Sequence, residues 1–259
     1  MMSLLKSIIT TIIKKVASEI GAVFSRKTAS FRKALTLWKL SPEATSIHCF
    51  ITNSQAVQKE RFQTPLYNRE DSIAQGLVVS ELERVFSNRI EAHYHMSPIK
   101  FKSIPELREN LVLIGGPVNN SISSELLSDT VCHNLNFSFD LSVENRDLHY
   151  LDANSVSKIL KPIQQKHNNF TDWGVILNIR NPWSDSHRLI AFMGCNGLST
   201  LAAAKSIKTQ LDKIRKQIKQ YDEYAIIVRC SGLWTNKDLR LNSSDIHYEE
   251  VIPLNTWHQ

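Results

Sequence analysis

The chain has 259 residues, 42% of them hydrophobic and 22% charged, and a formal net charge of +6. A chain of that length can bury one sizeable core, and its composition excludes disordered and fibrous classes. Four cysteines, Cys49, Cys132, Cys195 and Cys230, are scattered without a CxxC pair or a metal-ligand spacing. Buried thiols in a reducing compartment are therefore expected rather than a disulfide framework.

The charge is concentrated at the amino-terminal end. Residues 1–40 carry eight Lys and Arg against Glu19 alone, a net of +7 that leaves −1 for residues 41–259. A basic element attached to a nearly neutral body fits this division better than a protein-wide nucleic-acid groove. Residues 1–24 space Leu4, Leu5, Ile8, Ile9, Ile12, Ile13, Val16, Ile20 and Val23 along one face of an amphipathic helix. Its longest uncharged run, Ser7 to Ile13, is far below the ~20 residues of a membrane span, and the interrupting lysines argue against a secretory signal. Ser41-Pro42 marks a boundary, giving a basic helical arm over 1–44 and a body over 45–259. The wide aliphatic face suits a second copy or another protein. The lysines suit an anionic membrane surface, and Arg26, Lys27, Arg32 and Lys33 suit nucleic acid. The expected location is cytoplasmic, peripheral to a membrane in the second case.

From Ser46 onward, strand and helix patterns alternate. Residues 46–52 predict a buried strand, 71–86 an amphipathic helix and 90–96 another strand. Residues 103–109 predict a short helix capped by Ser103 with Pro105 in its first turn. A core strand is expected at 111–114, a helix at 121–128, a weaker strand at 137–141, and a helix at 154–165 capped by Asn154 or Ser155. Residues 174–181 and 187–193 predict a hairpin around Pro182-Trp-Ser-Asp185. One long helix with a solvated basic face is expected over 198–221, a buried strand over 224–229 and an edge strand over 247–252. The expected fold is α/β: a Rossmann-like, mostly parallel sheet flanked by helices, with an antiparallel hairpin and an N-terminal amphipathic helix.

Two stretches share one design. Leu111-Val-Leu-Ile-Gly-Gly-Pro-Val-Asn-Asn-Ser121 and Leu189-Ile-Ala-Phe-Met-Gly-Cys-Asn-Gly-Leu-Ser-Thr200 each run from an apolar strand through a Gly-rich turn into a helix. Such turns can offer backbone N–H groups and a helix N-terminus to an anion at the carboxyl ends of the strands. The expected ligand-binding residues are Gly115, Gly116, Asn119, Asn120 and Ser121 on one wall, with Gly194, Asn196, Gly197, Ser199 and Thr200 on the other. Residues 52–55, after the first strand, would complete the site. The plain alternative is that glycines and Ser/Asn caps only connect strand to helix. Neither turn matches the dinucleotide-binding fingerprint or the P-loop.

As a pair the turns also resemble a known pattern. Residues 110–120 are similar to the NLVVxGGPxxN signature, and residues 194–204 to the later AGxxxxxTxxAA signature, of a Rossmann-like domain. That domain forms the carboxyl-terminal part of archaeal S-layer proteins and occurs in related bacterial modules. Asp172-Trp-Gly-Val-Ile-Leu and Arg180-Asn-Pro182 resemble the bacterial modules as well. The resemblance covers about 105–210 and implies the fold, with no activity or ligand to carry over. Met193 stands where the family often has Ala, and residues 1–40 have no counterpart in it.

Chemistry is harder to place. Cleavage of an N-glycosidic bond would require a carboxylate in the crevice, and Glu70, Asp71, Glu81 and Glu83 are the candidates by topology. A solvated helix face accounts equally for Glu81 and Glu83. Asp172 precedes Trp173-Gly174 at a strand entrance, the opposite end of a parallel sheet, which suits a turn role. His93 and His95 alternate on one strand face without an identifiable third metal ligand. Cys195 opens a helix, where a thiolate is favoured, but no base partner is assignable. No metal site is expected.

The expected function is an intracellular signalling or effector module, of the kind used in bacterial defence. It would bind a nucleotide-like phosphorylated small molecule, or an NAD-like one, between the two turns, with the arm mediating assembly. One alternative is a nucleotide or NAD glycohydrolase or transferase using a crevice carboxylate. The other is an interaction protein whose arm docks on a membrane, a partner or nucleic acid.

Overall fold

The computed structural model describes residues 36–40, 46–52, 69–86, 90–95, 104–128, 131, 135–140, 147–164, 169–234, 239–240 and 245–254. The arm at 1–35 and residues 53–55 lie outside these residues.

A mixed sheet dominates. Strand β1 (Ile47–Thr52) lies between β2 (Ile90–His95) and β3 (Asn110–Ile114), and β3 pairs with β9 (Ser184–Gly194); all four run parallel. Beyond β9 the sheet turns antiparallel through β8 (Asn169–Asn181), β10 (Glu223–Trp234) and β12 (Ile246–Leu254). The short strands β7 (Ile163–Gln164) and β11 (Leu239–Arg240) extend the edges of β8 and β10. The sheet order is β11-β10-β8-β9-β3-β1-β2, with β12 and β7 attached. The hairpin expected at one edge is thus the seam between parallel and antiparallel halves. It joins them because β9 continues the parallel ladder while its partner β8 reverses it.

Both faces are covered, as buried parallel strands require. On β3, Val112 and Ile114 face one core while Leu111 and Leu113 face the other, and β10 divides Ile226 and Val228 from Ala225 and Ile227 in the same way. The first core receives α1 (Arg69–Phe86), α3 (Gly197–Thr209) and α4 (Leu211–Ile218) through Ala74, Val78, Leu82, Leu201, Ile207 and Ile214. The second receives α2 (Ser121–Leu126) and a 3-10 turn at Pro105–Arg108. It also takes a small antiparallel sheet of β4 (Phe137–Phe139), β5 (Leu148–Leu151) and β6 (Ser157–Leu160).

Three sequence expectations are corrected. The helix expected at 154–165 is β6 and β7. The Asp152 carboxylate accepts hydrogen bonds from the Asn154 and Val156 amides at 2.9 Å, and Ser155 takes a left-handed φ of 61°, so the chain reverses into a hairpin. The helical spacing of Val156, Ile159 and Ile163 misleads because these side chains remain half exposed. The long helix at 198–221 breaks at Gln210, whose backbone leaves the helical region and whose side-chain Nε2 donates to the Ile246 carbonyl on β12. That break lets Ile214 and Ile218 turn into the core. The short helix at 103–109 is a 3-10 turn with Ile104, not Ser103, at its N-cap, and no side chain caps it.

Residues 36–40, read from sequence as the end of the arm, belong to the body. Trp38 is fully buried and packs edge-on to Phe192, with ring centroids 6.0 Å apart. The Leu37 carbonyl accepts from the Tyr224 hydroxyl and from Asn178 Nδ2 at 2.8 Å, and the Trp38 carbonyl accepts from Asn178 at 3.1 Å. Trp38→Ala is expected to lower stability by about 3–5 kcal/mol, the usual loss for a large buried ring. Urea denaturation would measure it, and lengthening an N-terminal truncation from residue 35 to residue 40 should produce a comparable drop.

Candidate functional site

The chain leaves β1 toward β2 through α1, then returns past β1 to form β3. That reversal makes the carboxyl ends of β1 and β3 a topological switch point, the position where open α/β sheets bind ligands. The turn after β3 lies there, and the turn after β9 lies beside it because β9 is the next parallel strand.

The two turns touch. A Cβ on Gly116 would stand 2.4 Å from the Gly194 carbonyl oxygen, and one on Gly194 would stand 2.5 Å from the Thr200 amide nitrogen. Gly174 on β8 continues the row, since a Cβ there would lie 2.5 Å from the Ser199 carbonyl oxygen. The absent side chains of Gly194 and Gly174 thus let the first turn of α3 settle onto the strand ends, and that of Gly116 lets the two turns meet. Gly115 has a different reason to be glycine: its φ is +111°, a region other residues rarely adopt. Its amide donates to the Phe192 carbonyl at 3.0 Å.

Several expected ligand groups are engaged by the protein itself. Asn120 is fully buried and accepts from the Ile122 and Ser123 amides, so it caps α2. Its Nδ2 donates to the Phe50 and Ile114 carbonyls, tying β1 to β3 near their carboxyl ends. Ser199 and Asn196 form a capping box on α3, with the Asn196 amide donating to Ser199 Oγ at 3.1 Å. The Thr200 amide donates to the Asn196 carbonyl, and Ser199 and Thr200 are both buried. Asn120 and Ser199 therefore act as structural caps, and the Thr200 amide is spent within the first turn of α3. Val118, Asn119, Ser121, Asn196 and Gly197 stay half-buried along the rim.

Two buried carboxylates back this rim. Asp71, 2% exposed in the first turn of α1, accepts from Asn119 Nδ2 at 3.2 Å, and a Cβ on Gly115 would meet its Oδ2 at 3.3 Å. Asp172, 3% exposed, accepts from Asn196 Nδ2 at 3.2 Å and from the Trp173 amide at 2.8 Å. Each turn thus lends one side-chain amide to one carboxylate. Asp172 corrects a sequence expectation: β8 runs antiparallel to β9, so its entrance shares the rim with the exit of β9. A hairpin partner was the signal that could have found it.

The remaining candidates lie elsewhere. Glu70 is half-buried beside Asp71 in the first turn of α1, where acidic residues favour the helix dipole. Glu81 is ten residues beyond Asp71, about 15 Å along the helix, and pairs with Arg84, whose guanidinium is held above its usual range by that hydrogen bond. Glu83 is exposed on the same distant stretch. The Cys195 thiol is buried, and burial, with the Asp172 and Asp147 charges nearby, pushes its pKa up, so it is no activated nucleophile. His93 and His95 stand on β2, and their side chains lie outside the described residues. Among the described residues no group of three His, Cys, Asp or Glu could hold a metal ion, and no helix is long and apolar enough to cross a membrane.

No protein-family model matches the sequence, and comparison with curated proteins finds no match either.

The glycine row makes a paired prediction. Gly116→Ala should destabilise by about 1–3 kcal/mol, because a backbone oxygen must move to admit the methyl group. Gly76→Ala, where a Cβ meets nothing within 4 Å, should stabilise α1 by up to about 1 kcal/mol. Chemical denaturation of both variants would check the contrast.

Proposed function

We propose that this chain is a Rossmann-like binding module for a nucleotide-like small molecule, seated on the rim between residues 115–121 and 194–197. The observation that carries the reading is the contact of Gly116 with Gly194, which joins two strand-to-helix turns into one wall beside the β1/β3 switch point. The resemblance of the two turns to the signatures of a Rossmann-like domain supports the same reading.

The rim's polarity narrows the ligand. Buried carboxylates at Asp71 and Asp172 oppose a phosphate seated directly on the turns, whereas they suit hydroxyl groups such as those of a ribose. Asn119, Ser121 and Asn196 add amide and hydroxyl groups along the same edge. Recognition therefore runs through the sugar and base, with any phosphate directed away from the two carboxylates. The basic arm, in this reading, carries assembly or docking on a protein, a membrane surface or nucleic acid, as in an intracellular signalling or effector protein.

A second reading is favoured by Asp71 alone among the four candidate carboxylates. A buried carboxylate at a nucleoside site suits stabilisation of the positive charge that develops as an N-glycosidic bond breaks.

Thermal unfolding with a panel of nucleosides, nucleotides, cyclic dinucleotides and NAD tests the first reading. A true ligand at about a hundred times its Kd should raise the midpoint by about 5–10 °C, and Asn119→Ala should abolish that rise. A flat response across the panel would sink it. Base or nicotinamide release that Asp71→Asn abolishes and Glu81→Gln preserves would establish the enzyme.

A further inference from the structure

The segment 36–40 is built as a strap. Its docking brings Trp38 to full burial and draws three groups of the sheet to its carbonyls or neighbours. The Tyr224 hydroxyl and Asn178 Nδ2 hold the Leu37 carbonyl, and Arg188 donates to Asn178 Oδ1 and to the Asp222 carbonyl. Asn178 and Tyr224 are themselves fully buried. Sheet interiors seldom hold such groups, and here they serve the strap's backbone.

Two features work against the docked state. Lys39 is held at φ 54°, a left-handed conformation that a residue with a Cβ resists. The Trp38 indole N–H is buried with no acceptor among the described residues, which forfeits its hydrogen bond to water. Each is a cost that undocking of 36–40 would relieve.

The strap also reaches the rim. Trp38 packs on the Phe192 ring, and the Phe192 carbonyl receives the Gly115 amide. That bond is the last backbone rung between the 115–121 turn and β9, beside the Gly116–Gly194 contact. We propose that residues 36–40 are a releasable strap whose docking holds the Gly115 turn in place, so that forces on the arm are transmitted to the rim. The regulatory meaning rests on the rim being the ligand site; the mechanical coupling does not.

Native-state amide hydrogen exchange on the full chain separates the two without any ligand. Tyr224→Phe removes the hydroxyl that bonds the Leu37 carbonyl and keeps the ring. Exchange at 36–40 and at the Gly115 amide should rise together by about five-fold, the population change that follows loss of one hydrogen bond, while Ile226 and Ile227 on β10 stay unchanged. Trp38→Phe should do the same with a larger effect. A faster strap with an unchanged Gly115 overturns the coupling. Equal acceleration everywhere shows an ordinary part of the core and overturns the strap, as does no change at 36–40 in either variant.

Discussion

The contact between Gly116 and Gly194 is the constraint from which the rim follows. A backbone carbonyl occupies the space of a missing methyl group, 2.4 Å from where it would stand. Because Gly194 and Gly174 are equally bare, the first turn of α3 rests on the strand ends instead of standing off by a side chain's width. Asn120 then closes the arrangement by tying β1, β3 and α2 with its one amide group. Remove the close approach and the two turns no longer form one wall.

This packing changes what the glycines mean. Two Gly-rich turns of shared composition invite the idea of an anion cradle, since bare backbone can approach a phosphate. Here the approach is made by the protein's own backbone, and Asn120 and Ser199 occupy amides that an anion would need. The residues left on the surface are amides and a hydroxyl backed by carboxylates, which is a donor and acceptor surface with little appetite for added negative charge. In the proposed reading the rim therefore suits hydroxyl groups better than phosphate.

The alternation of strands and helices was legible in the residues because buried parallel strands read as apolar runs and α1 as an amphipathic repeat. β1, α1, β2, β3 and the β8/β9 hairpin lie where the pattern places them. What the pattern hides is direction and pairing. The residues announce the hairpin with β9, while nothing in Gly174–Asn181 says that β10 lies on its other side. Asp172 reaches the rim because that hairpin makes β8 antiparallel to β9, where a parallel-sheet reading puts it at the opposite end. Likewise Val156, Ile159 and Ile163 fit a helix by spacing, and only the Asp152 turn decides for a hairpin. Local hydrogen bonds to a side chain outweighed periodicity there, as Asp characteristically allows.

The boundary of the body shows the same limit in another form. Charge division ends the arm near Pro42, yet Leu37, Trp38 and Leu40 are core residues. A basic run and an apolar anchor overlap in one short stretch, and composition averages over both. The overlap has a physical consequence, because a segment that carries charge at one end and a buried indole at the other links the arm to the sheet. Its hold depends on Asn178 and Tyr224, groups that lie at the end of β8 and β10 remote from the Gly turns. Phe192 spans the distance between them, presenting its ring to Trp38 and its carbonyl to Gly115. One residue of β9 thus joins the arm's anchor to the rim, and any change in how tightly Trp38 seats must be felt by the turn that the Gly116–Gly194 contact shapes.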